Sequence, residues 1–93
     1  MVLGVLEVDL SIEWATSLKD KRMALRSLKD RIRNNFNVSV AEVADNDVWT
    51  AAVLGIAIVA NDQTFANQVL SKIVDFVEND RNVVLDDYRM NFL

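Results

Sequence analysis

Residues 49–60, WTAAVLGIAIVA, carry no charged side chain, and a run of this kind restricts what the chain can become. The wholly apolar part, Ala51 to Ala60, is about half of the roughly 20 residues that cross a bilayer as a helix. Read with a period of two, Leu54, Ile56 and Ile58 point one way, and Trp49, Ala51, Val53, Gly55, Ala57 and Val59 the other. A segment that is apolar on both faces suits a strand in the middle of a sheet.

The flanking segments supply partners for such a strand. Residues 2–12 place Leu6, Val8, Leu10 and Ile12 on one face and Glu7, Asp9 and Ser11 on the other, the pattern of a strand packed on one side. Ser17 and Asp20 have the S-x-x-D spacing of a capping box, so a helix is expected from Leu18 to about Phe36, with Leu18, Leu25, Leu28, Ile32 and Phe36 on its apolar face. Asn34, Asn35 and Asn37 tolerate its end. A short strand is expected over 38–43, and Asp45-Asn46-Asp47 turns the chain back as in a hairpin. Asn61 or Asp62 caps a second helix, whose broad apolar face runs from Phe65 through Leu70 and Ile73 to Val77. In the last strand Val84, Tyr88, Met90 and Phe92 alternate with Asp87, Arg89 and Asn91.

Strand, helix, strand, strand, helix, strand is the split βαβ order of the ferredoxin-like α+β fold. Right-handed crossovers set both helices on one face of a four-stranded antiparallel sheet, with the first and third strands central and the other face bare. Residues 1–93 are too few to divide a core, so one domain is expected.

Charge is distributed unevenly. Lys19, Arg22, Arg26, Lys29 and Arg33 form one stripe along the first helix, with no acid among them. Between Lys19 and Arg33 lie seven of the ten basic residues and two acids, a local charge of +5, whereas the whole chain carries -4. Such a stripe is the electrostatic footprint of a nucleic-acid binder, and equally the pattern of a solvated helix face. No aromatic side chain is interleaved with it to stack on bases.

The absence of cysteine and histidine removes disulfides, thiolate nucleophiles, imidazole bases and ordinary zinc sites. No cofactor or metal is expected, no small-molecule substrate is indicated, and the chain reads as a binding protein and not an enzyme. The apolar start is broken by Glu7 and Asp9 and has no basic leader, so a cytoplasmic, non-membrane protein is expected.

From Ser17 to Asp62 the wording SLKDKR, RNNFNVSVAEV, DVW and AVLGIAIVAND closely resembles the YlxP-like family of small bacterial proteins of uncharacterised function. The resemblance implies a ferredoxin-like fold. Because some members are encoded beside translation and ribosome-maturation genes, it also implies RNA or the ribosome as a partner. The family brings no established active site. Where its members often have a polar or basic pair after the tryptophan, this chain has Thr50 and Ala51.

Other groupings have plainer readings. Lys21 falls on the apolar helix face, where a long stem covers apolar surface and the ammonium is expected to reach water. Glu7 and Asp9 point the same way, as a catalytic carboxylate pair would, and are better read as exposed partners of Arg89. Asp45-Asn46-Asp47 lacks the downstream glycine and glutamate of a calcium loop. Trp14 and Trp49 end two strands and serve either as core or as interface anchors. Trp49, Val53, Ala57 and Val59, beside Leu3 and Val5, are expected on the bare sheet face, where a homodimer interface would cover them. The alternative to an RNA-associated protein is thus a homodimeric structural or regulatory protein whose stripe meets an acidic protein.

Overall fold

In a computed structural model describing residues 1–93, the chain runs through β1 (Val2–Ser11), α1 (Leu18–Asn35), β2 (Ser39–Ala44), β3 (Ala51–Ala60), α2 (Gln63–Glu78) and β4 (Val84–Phe92). The sheet order is β2-β3-β1-β4, antiparallel throughout, with the first and third strands central as their patterns require. β1 and β3 are in register from Val2 opposite Ala60 to Ser11 opposite Ala51. Leu6, Val8 and Leu10 of β1 and Leu54, Ile56 and Ile58 of β3 therefore share one face. They are buried there with Leu25, Leu28 and Ile32 of α1 and Leu70, Ile73 and Val77 of α2. Each such side chain contributes roughly 1.5–3 kcal/mol on leaving water.

The helix ends follow the caps, with one change. Ser17 Oγ accepts the Asp20 N–H at 3.1 Å, but the Asp20 carboxylate reaches past Ser17 and accepts from Thr16, N–H and hydroxyl both at 3.0 Å. Half of the capping box is thus displaced by one residue. Asp62, not Asn61, caps α2, accepting the Thr64 and Phe65 N–H groups at 3.3 Å. Phe36 ends α1 in extended backbone and meets Phe76 of α2 edge-to-face, with ring centroids 5.7 Å apart. Arg31 bonds the Asp80 carboxylate and lies over the Phe76 ring, so one side chain joins α1 to the end of α2.

Three features depart from simple alternation. β4 carries a bulge: Asp9 faces Asp87 and Leu10 faces Leu85, leaving Asp86 as the extra residue. The phase slip turns Leu85 toward the core with Met90 and Phe92. Val84, opposite Ser11, joins the bare face, contrary to its expected place beside Met90 and Phe92. β2 has a second bulge, at Val43. Finally, β3 starts at Ala51, so Trp49 is not a strand residue but belongs to the connection 45–50, which is longer than a tight hairpin turn. Asp45 there adopts a positive φ of 61°, which the short polar side chain tolerates.

Candidate nucleic-acid interface

α1 lies antiparallel along the edge strand β2. Val40 near the start of β2 sits by Arg33, and Glu42 further on sits by Lys21, so the flank of α1 that carries the stripe borders the sheet edge. Arg22, Arg26, Lys29 and Arg33 line a shallow recess of about 370 Å³, together with Leu25, Asp30 and Glu42. Lys19, one turn earlier, lies outside that lining. The spacing of three and four residues stacks these side chains over one another, as their places in the sequence require.

The cations are not alike. Arg33 is committed: one nitrogen donates to the Val40 carbonyl at 2.9 Å and another faces Asp30 at 3.5 Å. It covers a backbone acceptor on the free edge of the sheet, which blunts that edge against other strands. Lys19, Arg22, Arg26 and Lys29 take part in no ion pair. Of the recess acids, Glu42 is turned to Lys21 and Asp30 to Arg33. What remains is a cluster of free positive charge on a protein with a net charge of -4, able to hold an anion through charge and N–H donors.

Lys21 is not in water as expected. Its residue is 1% exposed. The ammonium donates to the carbonyls of Asp45 at 2.6 Å and Val48 at 2.7 Å and faces Glu42 Oε2 at 2.8 Å. That carboxylate oxygen receives no well-aligned hydrogen bond, so the Lys21 charge is what compensates it. The ammonium therefore fastens the 45–50 connection to the first turns of α1. Trp49, with 51% of its surface exposed, follows Val48 in that fastened connection. The stripe itself holds no aromatic side chain; Trp49 is next to Val48, whose carbonyl Lys21 holds.

The bare face of the sheet is the second surface of note. Val53, Ala57 and Val59 of β3 lie there, with Leu3 opposite Val59 and Val5 opposite Ala57. Arg89 on β4 clamps both carboxylates of β1, Glu7 at 3.0 Å and Asp9 at 3.0 and 3.1 Å. The hydrogen bond from Arg89 lowers the Asp9 pKa, and the same two carboxylates raise that of Arg89. Ser11 donates to Asp86, the bulge residue of β4. Trp14 is half exposed, and its indole N–H donates to the Asn82 carbonyl at 2.8 Å, tying the end of β1 to the entry of β4.

Against known proteins, residues 3–90 match the family model described as "Protein of unknown function (DUF503)". The uncharacterised protein YlxP of Bacillus subtilis (strain 168) is 32% identical over 78 residues, 84% of this chain and 85% of that protein. Among solved structures, the de novo designed protein Foldit4 superposes with a TM-score of 0.54 at 12% identity, covering 98% of this chain and 96% of the design. A designed protein with ferredoxin fold, LFR1 1, gives 0.53 at 15% identity over 99% of this chain and 85% of the design. These last two likenesses concern fold alone.

Proposed function

We propose that this chain, which belongs to the DUF503 family of proteins of unknown function, is a binding module and not an enzyme, and that α1 docks on the phosphate backbone of RNA, free or within the ribosome. The observation that carries the reading is the row Arg22, Arg26 and Lys29, cations without acidic partners beside the α1–β2 recess. From Lys19 to Arg33 the stripe runs about 21 Å along the helix, at about 1.5 Å per residue. Phosphate contacts of this kind position a protein and supply affinity without naming a sequence. Trp49, half exposed in the connection that Lys21 holds to α1, adds a surface on which a base can stack.

The test is a titration of single-stranded RNA against the parent and the triple variant Arg22→Gln, Arg26→Gln, Lys29→Gln, followed across a range of salt. Each lost contact removes about 0.7 from the slope of log affinity on log salt, so the triple variant loses about 2. Equal affinity and equal slope in the two proteins remove the stripe from the reading. Displacement of RNA by polyglutamate at the same charge concentration would instead favour an acidic protein partner.

A further inference from the structure

We propose that the bare face of the sheet closes against the same face of a second copy of this chain, about a two-fold axis. The uncharged residues there are contiguous by register: Leu3 beside Val59 and Val5 beside Ala57 across β1 and β3, then the small Ser39 beside Ala57 and Ala41 beside Gly55 across β3 and β2. Val43, the bulge residue of β2, leans over Gly55 so closely that a β-carbon on the glycine would stand 3.0 Å from its Cγ1. The patch continues round the end of β3 through Val59, 66% exposed, into a shallow concavity of about 390 Å³ lined by Asn37, Val38, Ser39, Ala57 and Val59.

Charge decides what fits. On β2 and β3 this face presents no ionised group. The charges are confined to β1 and β4, where Arg89 already holds Glu7 and Asp9. The two carboxylates that β1 carries on this face thus arrive paired, which lowers the electrostatic cost of covering them. With three carboxylates, Glu7, Asp9 and Asp87, around one guanidinium, the charged side still repels nucleic acid. An axis running along β3 lays β1 of one copy over the uncharged β2 of the other: Leu3 and Val5 make the apolar part of that contact, Glu7 and Asp9 are covered with Arg89 attached, and Asp87 of β4 stays at the wet rim.

The area is small. β1, β3 and β2, of ten, ten and six residues and about 4.8 Å apart at about 3.3 Å per residue, present a face of about 400 Å². Two copies bury about 800 Å², below the usual specific interface, which suits a weak, reversible dimer. A self-complementary patch is closed by one two-fold contact, with nothing left to propagate.

Sedimentation equilibrium of the parent, Val53→Lys and Val59→Glu, over about 1 to 100 μM, tests this. The parent is expected to rise from 10.5 kDa toward twice that mass, and to do so equally in high salt, which screens charge and not apolar contact. Both variants should stay at the mass of one chain while keeping the parent's circular dichroism. Val59 is exposed enough that its replacement spares the fold if Val53→Lys does not. A parent that remains at one chain's mass, variants that dimerise like the parent, or a dimer that dissociates in high salt would each overturn the proposal.

Discussion

Lys21 brings an ammonium into the interior, where it donates to two carbonyls and its charge faces the Glu42 carboxylate. Lys21→Met should cost about 3 kcal/mol in urea unfolding, because it leaves a mostly buried carboxylate and two carbonyls without a partner. Lys21→Met with Glu42→Leu should recover more than half of that loss, since the stranded charge is gone. Equal stability of Lys21→Met and the parent would mean that water satisfies the site. The helical period placed this lysine on the apolar face correctly and its ammonium wrongly, because its acceptors lie 24 and 27 residues further along and no local pattern announces them. Two carboxylates give the chain an acid limb. Asp20 is held below its ordinary 3.8 by the Thr16 N–H first and the Thr16 hydroxyl next, and Asp9 below the same value by its hydrogen bond from Arg89. A carboxyl lowered by folding contributes stability that is complete above the unfolded value and is lost as the pH falls through the folded one. Melting temperature should therefore be flat near neutrality and fall below about pH 4, and Asp20→Asn should make that fall shallower. An unchanged acid limb in the variant would show that Asp20 does not carry it.

At the level of elements, the two glycines separate crowding from open space. Gly4 opens β1 on the helix-covered face, and a β-carbon there would meet Ile58 Cγ2 at 3.0 Å, Leu70 Cδ1 at 3.1 Å and Phe92 Cε1 at 3.3 Å. Those contacts come from β3, α2 and β4 together, so no single neighbour can give way alone. Gly4→Ala should destabilise by about 1 to 2 kcal/mol in chemical denaturation, the crowding exceeding the gain from a stiffer unfolded chain. Gly55→Ala meets only the exposed Val43, whose side chain can turn aside, and should fall within about 0.5 kcal/mol of the parent. Equal losses at both positions would mean that the α2 layer adjusts as freely as the bare face. The order of elements was legible because periods of two and of 3.6 alternate along the chain without interruption. The bulges were not, because one extra residue in a strand shifts the phase while leaving the composition unchanged. That is why Val84 was expected inside and Leu85 takes its place, and why Trp49 read as the first residue of a strand that starts at Ala51. The stripe was legible for a simpler reason: a long helix keeps its period, so Arg22, Arg26, Lys29 and Arg33 had to fall on one flank. What the sequence could not convey is that β2 would run beside that flank and take up Arg33.

For the whole molecule, the sheet divides the two proposed surfaces. α1 and its cations stand on the covered face, beside the β2 edge, while Val53, Ala57 and Val59 stand on the other. With the sheet between them, substitutions on the two surfaces share no partner, and their effects should be independent. Charge adds to the separation: the acids of the bare face gather around Arg89, so little of the repulsion they exert on phosphate reaches the stripe through the core. In a face-to-face dimer the helical layers lie outermost. The two stripes then face opposite ways, about 30 Å apart if sheets stack at about 10 Å and each helix layer adds a similar depth. No short RNA can touch both. Val53→Lys should therefore bind a short single-stranded RNA with the parent's affinity and salt slope while sedimenting as one chain. The triple replacement at Arg22, Arg26 and Lys29 should lose RNA and sediment like the parent. On a long RNA the parent alone should gain, because a dimer offers a second stripe at high effective concentration once the strand is long enough to fold back to it. Running both variants through both assays makes a fourfold comparison. If Val53→Lys also loses the short RNA, the two surfaces are one, and the division of the molecule by its sheet is the wrong description.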